Sequence, residues 1–165
     1  ATTWLESVKA NLARKPTGND RAQVGAIFAG ECDISLGNTY YMGKMQTNEK
    51  KAEQKEWAKS VKILFPNAED RGTHVNISGV MLTKNAPNKE AGIKLMEFLA
   101  ADKAQKMYAE ANFEYPVKPG VEASERVSSW GELKADDLPL NDIAANRKTA
   151  SEIVDVVRLN DGPSS

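Results

Sequence analysis

The sequence predicts an α/β fold in which helix predominates over strand. Some windows carry apolar residues at helical spacing, and others alternate strictly between apolar and polar residues. Hydrophobic residues make up 41% of the 165 residues and charged residues 27%, which is typical of a globular domain. Glycine and proline clusters separate these windows and so mark the ends of the predicted elements.

The predicted helices begin at the start of the chain. Thr3 and Glu6 have the spacing of a capping box for the first helix. The second is expected to be capped by Asn19 or Asp20 and stopped by Gly30. Helical spacing also predicts helices over residues 48–60, 88–99 and 102–111, and from about 138 to 157.

Short extended segments between the helices are predicted to be strands. They cover residues 32–36, 61–65 and 73–83, the last interrupted by Gly79. Cys32 lies in the first of them and is expected to be a buried structural residue, as free cysteines commonly are. A single cysteine excludes an internal disulfide and any site built from several thiolates.

The remaining segments are predicted to be irregular. Residues 113–120 hold prolines too dense for a helix or strand. Trp130 and Leu133 are expected to dock the chain before the last helix, and residues 161–165 to form a frayed tail. The first residues lack the basic and apolar regions of a signal peptide, so we expect a processed or partial chain.

Charge and motif content narrow the classes of function. The chain has 22 Lys+Arg against 23 Asp+Glu, so no global field attracts it to nucleic acid, and no nucleic-acid partner is predicted. Its only histidine, His74, lies in a strand-like segment, and no G-x-S-x-G or phosphate-binding glycine motif occurs. We therefore expect His74 to be structural and the protein not to be an enzyme.

The least ordinary segment surrounds the pair Tyr40 and Tyr41. A tyrosine pair by itself is usually a packing feature. Here it follows a predicted strand, a glycine and Asn38, at the strand end where open α/β sheets bind ligands. Lys44 lies three and four residues further on, so one helical turn would place its amine beside both rings. These residues form a candidate binding site.

Several motifs resemble those of one family. They are Gly-Asn-Asp-Arg at residues 18–21, Ala-Gly-Glu-Cys-Asp at 29–33, Asn-Thr-Tyr-Tyr at 38–41, Gly-Thr-His-Val-Asn-Ile-Ser-Gly at 72–79, and Ser-Trp-Gly-Glu-Leu-Lys at 129–134. Together they are similar to the periplasmic ferric-ion-binding proteins of the bacterial transferrin group. These are the substrate-binding components of iron(III) ABC importers. The resemblance extends over nearly the whole chain.

The resemblance implies a type II periplasmic binding protein fold, of which this chain would be the C-terminal half. Such proteins have two lobes and should be about twice this length on domain-size grounds. Residues 1–74 would form the first part of the C-terminal lobe. Residues 75–127 would belong to the N-terminal lobe after a crossover, and residues 128–165 would supply the closing helices of the C-terminal lobe.

The resemblance also implies a function and a ligand set. Fe³⁺ would bind in the interlobe cleft through Tyr40 and Tyr41, because this hard cation prefers anionic oxygen donors such as phenolate. A carbonate or other small anion would join it, and Asn38, Asn19 and Lys44 match positions that hold the anion or support the ligands. Lys44 stands where an arginine is expected, and it lacks the bidentate fork of arginine.

The implied partners are the missing N-terminal half of the same protein and the permease of an ABC transporter in the inner membrane. The location would be periplasmic. One alternative is a substrate-binding subunit for another small anion or a metal chelate, with Lys44 and Asn38 holding the anion and the tyrosines lining the cleft. A second alternative is a fragment of such a protein with no function of its own.

Overall fold

The computed structural model describes residues 1–163, and its regular secondary structure is helical. The helices are α1 (Thr2–Ala10), α2 (Asp20–Phe28), α3 (Tyr40–Gln46), α4 (Glu53–Lys59), α5 (Lys89–Leu99), α6 (Asp102–Ala111), α7 (Glu125–Ser128) and α8 (Leu140–Val157), followed by a 3-10 turn at Leu159–Asp161. Among these residues, no helix is long and apolar enough to cross a membrane.

The second helix has the ends that the sequence predicts. The side-chain oxygen of Asn19 accepts a hydrogen bond from the backbone N–H of Ala22 at 3.2 Å, which caps the helix. Gly30 follows with a φ of 76°, and its N–H donates to the carbonyl of Ile27 at 2.9 Å. A left-handed glycine that closes the last turn is a common helix ending, so both predicted signals are confirmed.

The capping box predicted for the first helix is wrong. Helix α1 already begins at Thr2, and its N-cap is Ala1, which has no side-chain acceptor to offer. Thr3 therefore lies inside the first turn and leaves the initial N–H groups without a side-chain partner. The fourth helix is also shorter than predicted, because Asn48 accepts from the N–H groups of Lys50 and Lys51 and forms a turn before it.

The main core lies where α2, α3 and α4 pack together. Met42 and Met45 from α3 meet Ala58 from α4, and Trp57 and Trp130 cover the cluster. The docking role predicted for Trp130 is thereby confirmed. This core fixes the first turn of α3, where the candidate site lies.

The predicted strands are wrong for this chain. Residues 32–36, 61–65 and 73–83 form no strand ladder, and the only bridge within residues 1–163 is a parallel one between Thr73 and Ala135. A strand requires a neighbour to complete its ladder of hydrogen bonds. Leu36 is 85% exposed and Leu64 79% exposed. No neighbouring segment among the described residues therefore covers these apolar side chains.

Two further predictions are wrong. Cys32 is only half-buried, because the segment around it lacks the neighbouring strand that would enclose its side chain. The predicted tail is ordered over residues 161–163, since Gly162 is buried against Lys15 with a φ of 86°. A Cβ at Gly162 would lie 2.8 Å from the Cα of Lys15, so the contact requires glycine. Ser164 and Ser165 lie outside the described residues.

Candidate functional site

The tyrosine pair starts a helix. Helix α3 begins at Tyr40, with Thr39 as an N-cap that makes no side-chain hydrogen bond. The rings of Tyr40 and Tyr41 lie with their centroids 4.5 Å apart and their planes at 37°. Adjacent residues of a helix point about 100° apart around its axis, yet these two tilted rings lie close together, so the pair presents two phenol groups side by side.

Lys44 lies over both rings, as its spacing predicts. Its Nζ atom is 4.8 Å from the Tyr40 ring centroid and 5.7 Å from the Tyr41 centroid. Cation–π attraction favours this placement, because an aromatic face is negative. The amine therefore provides a positive charge beside the two phenols.

A second cation reaches the pair from another helix. The guanidinium carbon of Arg21, in the first turn of α2, lies 5.3 Å from the Tyr41 ring centroid. The phenol pair is thus accompanied by one cation from its own helix and one from α2. Arg21 was not among the residues predicted for the site.

The loop before the tyrosines is tied to the start of α2. Oδ1 of Asp20 accepts a hydrogen bond from the backbone N–H of Asn38 at 2.8 Å and lies 3.5 Å from its side-chain Nδ2. The side chain of Asn19, by contrast, caps α2, so its oxygen is committed to the helix. Of the predicted site residues, the structure brings together Tyr40, Tyr41 and Lys44, whereas Asn38 and Asn19 make structural hydrogen bonds nearby.

The two phenols influence each other electrostatically. Hydrogen bonding with the Tyr41 hydroxyl raises the pKa of Tyr40 above its ordinary value of 10.0, and burial and the carboxylates of Asp20 and Glu114 add to the rise. The Tyr40 hydroxyl therefore keeps its proton at physiological pH in the absence of a strong cation. A metal ion is the kind of charge that can replace this proton.

The rear of α3 is closed by an aromatic ring. Phe113, with a φ of 61°, lies directly against Gly43, where a Cβ would be 2.3 Å from the Phe113 Cγ. Only glycine leaves room for this contact. Gly43 is buried and lies next to Lys44 in α3. Contact with the Phe113 ring therefore fixes the position of this turn of the helix.

Other metal-binding groups are sparse. Within residues 1–163, no three His, Cys, Asp or Glu side chains are grouped so that they could hold a metal ion. His74 is exposed and lines a groove along α8 together with Leu138, Ile143 and Arg147, and none of the tyrosines lines this groove. The tyrosine pair is therefore the best candidate for oxygen donors to a metal.

Comparison with known proteins establishes the family. Residues 1–135 match the family of bacterial extracellular solute-binding proteins. Iron uptake protein A1 of Synechocystis is 45% identical over 151 residues, which are 92% of this chain and 42% of that protein. The chain belongs to the bacterial extracellular solute-binding proteins.

Two solved structures that superpose closely on this chain are of proteins named for ferric iron or in complex with iron. Ferric iron-binding protein A of Mannheimia haemolytica, in an open conformation, superposes with a TM-score of 0.91 at 52% identity, over 97% of this chain and 49% of that one. A Trichodesmium protein (IdiA, FutA) in complex with iron and citrate ligands gives a TM-score of 0.89 at 40% identity, over 94% and 49%.

These likenesses confirm the predicted resemblance and the type II periplasmic binding fold. The chain spans about half the length of the relatives it matches.

Proposed function

We propose that this chain is the C-terminal half of a two-lobed protein that binds Fe³⁺ and delivers it to an ABC importer. In this proposal Tyr40 and Tyr41 supply two phenolate ligands, and the protein is a periplasmic carrier without enzymatic activity. The observation that carries the proposal is the close phenol pair at the start of α3, with the amine of Lys44 beside it. A relative named for ferric iron and another in complex with iron and citrate support it.

The chemistry of Fe³⁺ suits such a pair. Fe³⁺ is a hard cation that prefers anionic oxygen, and phenolate is a known protein ligand to ferric iron. Two phenolates leave one positive charge and several coordination positions, so further donors are needed. Less charged metals displace phenol protons less readily at neutral pH, which favours the ferric ion.

The neighbouring polar residues have different tasks in this proposal. Lys44 offers a positive charge to a small anion, such as carbonate, that completes the coordination of the metal. Asn38 and Asn19 support the ligands by holding the polypeptide around them, through the hydrogen bond to Asp20 and through the cap of α2. Lys44 is a point charge, so it attracts an anion without fixing its orientation.

The remaining ligands come, in this proposal, from an N-terminal half that binds to the exposed segments at residues 32–36 and 61–65. Ile34, Leu36 and Leu64 are 78%, 85% and 79% exposed, although each lies in a segment that the sequence predicts to be a strand. Adding strands beside them would bury these side chains and complete the hydrogen-bond ladder. We assign residues 1–74 and 128–165 to the C-terminal lobe and residues 75–127 to the N-terminal lobe.

Competition with citrate tests this function. The 165-residue chain and the two-lobed protein are each loaded with Fe³⁺ and titrated with citrate at neutral pH. We expect the two-lobed protein to retain iron at citrate concentrations that strip the shorter chain, because a rigid second lobe supplies donors without recruiting them from solution. Failure of the two-lobed protein to retain iron contradicts the proposal.

A second candidate function is binding of an anionic metal chelate, and the two cations beside the tyrosines favour it. Lys44 and Arg21 would then contact the anion, while the rings would only line the cleft. Titration of the two-lobed protein with iron-free citrate, and with ferric citrate, separates the two. Tight binding of ferric citrate without a phenolate-to-iron absorption band supports the chelate, whereas a band supports direct phenolate ligation.

A further inference from the structure

We propose that Arg21 is a positioning residue for Tyr41: it holds the Tyr41 ring against α2 and places a permanent positive charge beside the phenolate. This inference rests on the proposed function, since it concerns one of the proposed iron ligands. It assigns to α2 a part in the iron site in addition to its part in the core.

Geometry is the first support. Arg21 lies in the first turn of α2, yet its guanidinium carbon is 5.3 Å from the Tyr41 ring centroid on α3. The start of the same helix is joined to the loop before the tyrosines by the hydrogen bond from Asn38 to Asp20, at 2.8 Å. The position of the guanidinium relative to the ring is therefore set by two fixed helices.

The surroundings of Arg21 are the second support. Its Nε atom is buried and has no hydrogen-bond partner in the part of the chain that the structure describes. Within the same residues Arg21 forms no salt bridge, whereas Arg14 is paired with Glu31 at 3.2 Å. No carboxylate forms an ion pair with Arg21 in these residues, so its positive charge remains available to Tyr41.

Arg21 and Lys44 differ in what they can do. Lys44 lies on α3 itself, on a flexible stem, and is nearer to Tyr40. Arg21 joins two helices through a planar group that stacks on an aromatic face. Loss of Arg21 should therefore change the environment of Tyr41 in a way that Lys44 cannot replace.

The expected consequence is spectroscopic. A metal bound to the phenol oxygen lies beyond the edge of the ring, so a cation over the ring is closer to the phenolate than to the metal. Such a charge stabilises the phenolate electrons that move to Fe³⁺ in the charge-transfer band, and it shifts the band to higher energy. Removal of the charge should shift the band to longer wavelength.

The experiment uses the two-lobed protein with three substitutions. Arg21→Met removes the charge, Arg21→Lys keeps it, and Arg126→Met is the control, because Arg126 contacts Gln46 at the far end of α3 without touching either ring. In iron-free protein, we expect a nuclear Overhauser effect between the Arg21 side chain and the Tyr41 ring. In iron-loaded protein, we expect Arg21→Met to move the band to longer wavelength and to release iron to citrate roughly three- to thirty-fold more readily.

We expect the charge-transfer band of Arg21→Lys to lie close to the wild-type wavelength and that of Arg21→Met to lie at longer wavelength. The band of the control Arg126→Met should not move. A band that stays in place in Arg21→Met, or moves equally in Arg21→Lys, overturns the charge role of Arg21. A wild-type protein without any band refutes the proposed function instead. In that case the nuclear Overhauser effect between Arg21 and Tyr41 in iron-free protein tests the positioning role. Its presence supports that role, and its absence overturns it.

Discussion

The Oδ1 atom of Asp20 lies 2.8 Å from the backbone nitrogen of Asn38 and accepts its hydrogen bond across 18 residues of sequence. This bond joins the first turn of α2 to the loop that leads into the tyrosine pair. Because Arg21 follows Asp20 directly, a single turn of α2 both holds that loop and covers the ring of Tyr41. The stability of the site therefore depends on the start of α2.

Replacing Asp20 should weaken this connection. We expect Asp20→Ala to lower the free energy of unfolding by about 1–3 kcal/mol, because the N–H of Asn38 loses its acceptor. Asp20→Asn keeps an acceptor oxygen and should lose less. Urea unfolding of the 165-residue chain measures both, with Asp33→Ala as a control for an exposed carboxylate. Equal stability of Asp20→Ala and Asp33→Ala would contradict the structural role of the bond.

The contact between Gly43 and Phe113 gives a steric prediction. A methyl group at Gly43 would lie 2.3 Å from the Cγ of Phe113, so Gly43→Ala must displace the ring or the helix. We expect a loss of about 1–3 kcal/mol in the free energy of unfolding, as for other overpacked sites. Gly79→Ala is the matched control, since a Cβ there meets nothing within 4 Å. If the two variants unfold alike, α3 is not held by this ring.

Tyr115 offers a prediction about pH. Its hydroxyl is buried without a hydrogen-bond partner among the described residues, and burial raises its pKa above the ordinary value of 10.0. As the pH rises past 10.0, the unfolded chain loses this proton first, so native stability declines from there through the native pKa.

Tyr115→Phe should remove the part of the loss in unfolding free energy at alkaline pH that comes from the Tyr115 hydroxyl. Because the substitution also removes an unpaired buried hydroxyl, we expect the free energy of unfolding at neutral pH to be unchanged or higher by about 1 kcal/mol. Denaturant unfolding between neutral and alkaline pH measures both effects, with the exposed Tyr108→Phe as the control. A marked loss of stability at neutral pH would show that the Tyr115 hydroxyl is satisfied.

The exposed segment around Leu36 gives a prediction about the binding of the N-terminal half. Leu36 is 85% exposed, so Leu36→Asp should leave the stability of the 165-residue chain unchanged. When the chain is co-expressed with its N-terminal half, the same substitution should weaken association about tenfold or more, since a buried leucine contributes about 1.5–3 kcal/mol. Co-purification of the two halves measures this, with the exposed position Ser7→Asp on α1 as the control. Equal recovery of both variants would place the interface elsewhere.

Sequence reasoning succeeded for three features of α2 and α3 that are decided locally. The cap at Asn19, the glycine stop at Gly30 and the placement of Lys44 beside both rings follow from spacings within one or two turns of helix. The strands failed for the opposite reason. The alternation in residues 32–36 is typical of a strand, but a strand forms only beside a neighbouring strand. Within residues 1–163 no segment pairs with these residues.

Arg21 and Asp20 could not be placed at the site from the sequence. Their contacts join residues that are about 20 positions apart, and such contacts depend on how α2 packs against α3. The available signal was the motif Gly-Asn-Asp-Arg at residues 18–21, which contributed to the family resemblance without indicating which neighbour each side chain contacts.

The visible absorption of the iron-loaded, two-lobed protein tests the central claim most directly. The comparison is between wild type, the double variant Tyr40→Phe with Tyr41→Phe, and the control Tyr108→Phe, whose tyrosine is exposed on α6. We expect a phenolate-to-iron charge-transfer band in wild type and in the control, and none in the double variant. A colourless iron complex of the wild type, or a band that survives the double substitution, would contradict the assignment of Tyr40 and Tyr41 as iron ligands.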